Sequence, residues 1–339
     1  MKLFKPYISW RARLYALKVL MGTQLAEGPV AKRFEEEFGK KFGFENVCAL
    51  NSGTSALELA YELAGIQKGD EVITPVLTCT ATNIPLARIG AKIVFADAGE
   101  SLNAYTEDIK AKITPKTKAI VFVHFGGSNE GLDEVLEIAS EHGITVIEDA
   151  AQAVGSENWG KADFTCVSLQ AIKTLTAGDG GILICKRKED HEKAKRLRWF
   201  GYDREEKQRC GDTDLTEIGY KYHMNDISAA IALGNLHAID WVIQRRRTYR
   251  DLYKEHGFQA GVWMATYIHH QKDEIVKELK EAGYEAGTHH YRNDKYTIFC
   301  GRGKYLYMDA IEDKMFHVPL HHDLTLADVY RIITICKSF

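Results

Sequence analysis

No two cysteines of this chain form a C-x-x-C pair, and no apolar run approaches the length of a membrane-spanning helix. The seven cysteines (Cys48, Cys79, Cys166, Cys185, Cys210, Cys300 and Cys336) are odd in number and scattered. That pattern argues against a disulfide framework or a zinc cluster and reads as buried thiols in a reducing compartment. The opening residues, MKLFKPYISWRARLY, hold early charges and a proline but no apolar core of a secretory signal, so a cytoplasmic address is expected. Strong charge of one sign is missing too. A formal net charge of −3 offers no whole-chain field for nucleic acid or an acidic membrane surface. No repeat, low-complexity tract or Pro/Gly-rich linker interrupts the chain. What is present, 339 residues with 45% hydrophobic and 27% charged, suits a soluble globular protein. Such a length holds about two domains with a sizeable core.

Short apolar runs alternate with helical patterns. VCAL (47–50), EVITP (71–75), KIVFAD (92–97), AIVFVH (119–124), TVIED (145–149), FTCVSL (164–169) and GGILIC (180–185) read as buried strands. Between them lie helix patterns such as TSALELAYELAGI and GLDEVLEIASEHG, the second ending on a glycine suited to a C-cap. Strands alternating with helices imply an α/β layer fold with a mostly parallel seven-stranded sheet. From MNDISAAIALGNL onward helical segments dominate, and a smaller mixed α+β unit follows. The expected division is a large domain over 1–235, including the N-terminal segment, and a small domain over 236–339.

In open α/β sheets, ligands sit beyond the carboxyl ends of the strands. After the first strand comes NSGTSALELA, where Gly53 and Thr54 open a helix that presents free N–H groups and a positive dipole end to an anion. An ordinary helix cap explains the same residues. The spacing lacks the GxGxxG fingerprint, which counts against a nicotinamide dehydrogenase. After the fifth strand, Asp149 and Gln152 in EDAAQA also fit a capping-box-like helix start. The sixth strand leads to Ser168, and five residues later Lys173 precedes the tight AGDGG turn. A lone loop lysine is usually a solvated charge. Together, an aspartate ending a strand, a lysine leading toward the next, and a glycine-plus-hydroxyl helix start would hold a phosphorylated pyridine aldehyde.

The ordered set GPVAKRFEEEFGKKFG, NSGTSALELA, GDEVITPVLTCTATNIPLARIGAKIVFAD, VIEDAAQAVG, SLQAIKTLTAGDGG and GYKYHMNDISAAIALGNL resembles the DegT/DnrJ family of pyridoxal-phosphate-dependent nucleotide-sugar aminotransferases. That family belongs to the fold-type I aminotransferase superfamily. The resemblance covers most of residues 28–250. It implies Lys173 as the lysine that joins the cofactor covalently, with Asp149 as partner of the protonated ring nitrogen. It further implies Gln152 against the ring hydroxyl, and Gly53, Thr54 and Ser168 around the phosphate. Cys79 stands where many relatives carry an aromatic ring that stacks on the cofactor. Lys221 stands where relatives often have an asparagine reaching the partner subunit's phosphate, which implies a homodimer with shared sites. The implied reaction moves an amino group from an amino acid, glutamate by analogy, to a keto-sugar on a nucleoside diphosphate.

The segments LRWFGYDREEKQ (197–208) and GTHHYRNDKY (287–296) are rich in aromatic, histidine and basic groups, so Tyr202, Arg204, His290 and Tyr291 are substrate-binding candidates. A solvated hinge and satisfied core histidines would explain them equally. His290 and Tyr291 match the histidine-tyrosine pair of the family's small domain, while His321 and His322 have no metal-binding spacing. Two readings compete with the aminotransferase. Sugar 3-dehydratases of the same family replace the anchor lysine by histidine, and a noncatalytic sugar-binding homologue would have no need to keep Lys173, Asp149, Gln152 and Ser168 together.

Overall fold

A computed structural model describes residues 1–211, 213–299 and 301–339; Cys300 lies outside them. Its strands are β1 (Val47–Leu50), β2 (Glu71–Pro75), β3 (Leu77–Thr78), β4 (Lys92–Ala96), β5 (Thr117–Val123), β6 (Thr145–Asp149), β7 (Phe164–Ser168), β8 (Gly181–Cys185), β9 (Gln259–Ala260), β10 (Ala265–Ile268), β11 (Tyr291–Arg292) and β12 (Met315–Val318). Seven of them form one sheet in the order β1-β8-β7-β6-β5-β2-β4. The contacts among β4, β2, β5, β6 and β7 are parallel, and β8 runs antiparallel to both its neighbours.

The apolar runs that mark these strands have no inside-outside alternation because both faces are covered. Successive side chains still point to opposite faces. Cys48 and Leu50, Ala119 and Val121, and Leu183 and Cys185 enter the core beneath helix Gly53–Leu63. Val47 and Ala49, with Ile182 and Ile184, pack with Phe34 and Phe38 of helix Pro29–Phe42 and with Leu233 of helix Asp226–Leu236. Ile120 and Phe122 meet Leu132 and Val135 of helix Leu132–His142, which ends on Gly143 at φ 65°. Among the described residues, no helix is long and apolar enough to cross a membrane.

A second sheet, β12-β10-β9, carries helices Lys272–Glu281 and Leu326–Lys337. Helix Ile239–Glu255 belongs to both cores: Val242 and Ile243 pack on the large one, Tyr249 and Tyr253 on the small one. We propose dividing the chain at the break before this helix, near residue 236. The first nine residues run between the two units. Leu3 N–H donates to Glu285 at 2.8 Å, and Ser9 N–H donates to Asn235 at 2.8 Å. Strand β11 pairs with β3, Tyr291 opposite Thr78, and so brings the small unit to the carboxyl edge of the large sheet.

Of the cysteines expected to be buried thiols, Cys48, Cys166, Cys185 and Cys336 are buried, but Cys79 and Cys210 are exposed. Cys79 precedes helix Thr80–Ile89 and Cys210 ends helix Arg204–Cys210, where neither position faces a core.

Beneath the carboxyl edge lies a buried histidine–carboxylate pair. Glu148 accepts from His124 Nε2 at 2.7 Å and from the backbone N–H groups of Gly160 at 2.8 Å, Lys161 at 2.6 Å and Ala162 at 2.8 Å. Burial pushes the Glu148 carboxyl up, yet His124 and these N–H groups outweigh it and hold the pKa below its ordinary 4.5. A carboxyl lowered in the fold stabilises above its unfolded value, and that contribution is lost as pH falls through the folded value. Glu148→Gln is therefore expected to lower stability by about 1–3 kcal/mol at neutral pH. It should also flatten the loss of stability between about pH 5 and about pH 3, measured by urea unfolding. An acid limb as steep as the parent's would remove Glu148 from the account.

Candidate active site

Every segment singled out for cofactor chemistry meets at the carboxyl edge of β1, β6 and β7. After β1, Ser52 takes the N–H of Ser55 on its hydroxyl at 3.0 Å and the N–H of Ala56 on its carbonyl at 3.2 Å. Gly53 and Thr54, the first two residues of helix Gly53–Leu63, thus keep their N–H groups and the dipole end for an anion. Ser168 closes β7 directly alongside. A Cβ placed on Gly53 would sit 2.8 Å from Ser168 Cβ, so only glycine permits this approach.

Asp149 ends β6 buried. Its Oδ2 accepts from the Thr82 hydroxyl at 2.8 Å, Thr82 meets Thr78 at 2.8 Å, and Asp149 Oδ1 accepts from Ala151 N–H at 3.2 Å. The capping-box alternative for EDAAQA fails, because residues 151–155 form turns rather than a helix. Gln152 does not reach back to Asp149. Its Oε1 accepts from Gly126 N–H at 2.6 Å, and its Nε2 lies 3.0 Å from His290 Nε2. Because Gly126 fixes the amide orientation, Gln152 Nε2 is the donor and His290 Nε2 the acceptor. Burial pushes the His290 pKa well below 6.5, which agrees with a neutral ring carrying its proton on Nδ1.

Lys173 sits in the turn between β7 and β8, with its N–H on the Gln170 carbonyl at 2.9 Å. Lys173 is half-buried, and its ammonium lies 4.3 Å from the ring centre of Trp263. Burial lowers the Lys173 pKa below its ordinary 10.5, against the opposing charges of Asp149 and Cys79. Asp149 and Cys79 thus lie close enough to influence Lys173, and Lys173 in turn lowers the pKa values of His289 and His290 after burial has done so.

The remaining candidates are divided. The main chain of Lys221 lies near the start of helix Gly53–Leu63, its carbonyl accepting from Asn51 Nδ2 at 3.2 Å, and its side chain is exposed. Tyr291 is exposed at the rim, one residue from His290, with its hydroxyl on the Thr288 carbonyl at 3.3 Å. Tyr202 and Arg204 are not brought to Lys173. They line a separate cavity of about 790 Å³, where Arg204 is engaged by Glu27 at 2.9 Å. The Arg204 guanidinium also lies 5.2 Å from the Trp199 ring centre, and the Lys207 ammonium lies 3.6 Å from that of Tyr202. Sequence reading passed over Thr78 and Thr82, although their spacing of four across a helix start was visible in LTCTATN. Trp263 carries no pattern that could have marked it, while His289 stands beside His290 in GTHHYRNDKY.

These residues fit pyridoxal phosphate. Asp149 retains acceptor capacity on both oxygens for a ring N–H, Gln152 Nε2 has a second hydrogen for a ring hydroxyl, and Gly53 and Thr54 offer N–H groups to a phosphate beside Ser168. Lys173 Nζ is hydrogen-bonded to no acceptor among the described residues, and so is free to react.

Residues 8–337 match the DegT/DnrJ/EryC1/StrS aminotransferase family. A curated relative, the UDP-4-amino-4-deoxy-L-arabinose–oxoglutarate aminotransferase of Shewanella sediminis (strain HAW-EB3), is 30% identical over 355 aligned residues covering 93% of this chain and 92% of the relative. Among solved structures, the sugar aminotransferase CalS13 from Micromonospora echinospora superposes with a TM-score of 0.93 at 28% identity, over 99% of each chain. AtS13 from Actinomadura melliaura does so with a TM-score of 0.94 at 29% identity, over 100% of this chain and 98% of that one. With Lys173, Asp149 and the start of helix Gly53–Leu63 gathered at one sheet edge, the chain belongs to the DegT/DnrJ/EryC1/StrS family, the pyridoxal-phosphate-dependent sugar aminotransferases.

Proposed function

We propose that this chain moves the amino group of glutamate to a keto-deoxy-sugar carried on a nucleoside diphosphate, in the cytoplasm, making amino sugars for lipopolysaccharide or another surface glycan. What supports the residue assignments is the half-buried Lys173, whose ammonium lies against Trp263 with no hydrogen-bond acceptor among the described residues and whose pKa is held up by the charge of Asp149. Pyridoxal phosphate, when bound, supplies an electron sink that lets a proton leave the carbon next to the amino nitrogen. Asp149 holds a proton on the ring nitrogen by its charge. Lys173, poised below the ordinary lysine pKa, takes the proton from the substrate carbon and returns it one position away. Gly53, Thr54 and Ser168 fix the phosphate, and Gln152 with His290 fixes the ring oxygen. The glutamate donor and nucleotide-linked acceptor are supported by the name of the Shewanella relative, an aminotransferase of oxoglutarate and a UDP-sugar. Incubating purified protein with the cofactor, glutamate and a panel of keto-deoxy-sugar nucleotides tests this. Oxoglutarate release with one of them is expected. Loss of water from the sugar without oxoglutarate would establish the dehydratase instead, and binding without turnover a noncatalytic homologue.

The proposed active unit is a homodimer in which Lys221 crosses to the partner's phosphate as a point charge. Lys173→Ala and Lys221→Ala chains, each poorly active, should regain activity when unfolded and refolded together, because one site of the mixed dimer has both lysines. If Lys221 served its own chain, every mixed site would carry a lesion and activity would not return.

A further inference from the structure

The ammonium of Lys173 faces an aromatic ring rather than a carboxylate, and that ring is braced from three sides. Trp263 is fully buried, and its indole N–H donates to the carbonyl of Ile172, the residue before Lys173, at 3.0 Å. One ring face takes the Lys173 ammonium at 4.3 Å. Phe4, from the N-terminal segment, stacks on Trp263 with centroids 4.5 Å apart and planes 16° from parallel, and also meets His289 at 4.6 Å. The backbone N–H of Trp263 donates to the Gly126 carbonyl at 2.8 Å, tying its main chain to the loop whose Gly126 N–H donates to Gln152 Oε1.

We propose that Trp263 is a positioning residue, the seat of the Lys173 ammonium whenever that lysine is not joined to the cofactor, and that Phe4 holds the seat in place. This rests on the assignment of Lys173 as the anchor. A ring face attracts a cation through its quadrupole, more weakly than a carboxylate does through its charge. Seated there, Lys173 is kept from collapsing onto Asp149, so Asp149 stays available to the ring nitrogen and the lysine gives up its proton readily. Joining the cofactor would need that proton gone, since only a neutral Lys173 nitrogen could bond to an aldehyde carbon, the aldehyde oxygen and the two amine hydrogens being released as water. The charged and titratable groups around the ammonium are Asp149 from the end of β6, Cys79 before helix Thr80–Ile89, and His289 and His290 before β11.

Without the indole, the ammonium gains water and the Asp149 carboxylate as its neighbours, and both favour the protonated form. In Trp263→Leu, the pH midpoint for capture of pyridoxal phosphate on Lys173, trapped with borohydride and read by peptide mass, should move upward by about one unit. Trp263→Phe should keep most of the parental midpoint, a rescue that a purely structural role would not produce. In cofactor-free protein whose lysines carry ¹³C-methyl groups, the Lys173 methyl signal should show an upfield ring-current shift that Trp263→Leu abolishes. Should Trp263→Leu fail to fold, Phe4→Ala serves in its place, with a smaller shift in the same direction. An unchanged or lowered midpoint in a folded variant, or a Lys173 signal with no ring-current shift in the parent, overturns the proposal. Failure of the parent to take the cofactor on Lys173 at all would instead overturn the anchor assignment.

Discussion

Lys173→Ala protein should fold as the parent does and lose transamination by about 10²–10⁴-fold or more, since one lysine supplies both the cofactor bond and the proton transfer. The fold is expected to survive because the ammonium makes no hydrogen bond among the described residues and its removal leaves only the Trp263 face uncovered. Treating the parent with pyridoxal phosphate and borohydride should add the reduced cofactor to the peptide containing Lys173, and the variant should show no such peptide. Circular dichroism and thermal unfolding close to the parent's would separate a chemical loss from a structural one. Turnover at the parental rate would mean that another group does the work.

Asp149→Asn isolates charge from shape. The amide oxygen can still accept from Ala151 N–H, and the Thr82 hydroxyl can turn to accept from the new amide nitrogen, so the local bonds survive with the donor reversed. What disappears is the negative charge that keeps the ring nitrogen protonated, an effect of about 1–3 pKa units for a close pair. The expected result is near-parental unfolding temperature with a fall in kcat of at least several tens-fold. The deficit should shrink as pH falls, because lower pH restores by mass action the ring proton that the charge had held. Parental kinetics would show that Asp149 serves only the Thr82 and Ala151 contacts.

The strands were legible because each is a short apolar run bounded by turn residues, and all seven form the large sheet with ends within about two residues of expectation. Asp149, Ser168 and Gly53 were legible for a related reason: each sits where a run ends, and run ends in such a sheet share one edge. Partnerships across the chain were not. Gln152 and His290 are 138 residues apart, and nothing in EDAAQA announces a histidine as the receiver of that amide. Phe4 and Trp263 resemble any other apolar pair until the fold stacks them. For Tyr202 and Arg204, composition could not show the nearby acid: Arg204 pairs with Glu27, which also pairs with Arg198 at 2.8 Å. Composition registers the charge of a segment but not the acid that waits for it.

Strand β1 has a single neighbour in its sheet, β8, with Val47 opposite Ile184. During synthesis at about 5–20 residues per second, four wholly buried residues made early must therefore remain unpaired for on the order of ten seconds until β8 leaves the ribosome. An unpaired apolar strand is a template for joining other chains. The nascent protein is most exposed to self-association in that interval, and the emergence of Gly181–Cys185, well before the small unit is made, is what ends it.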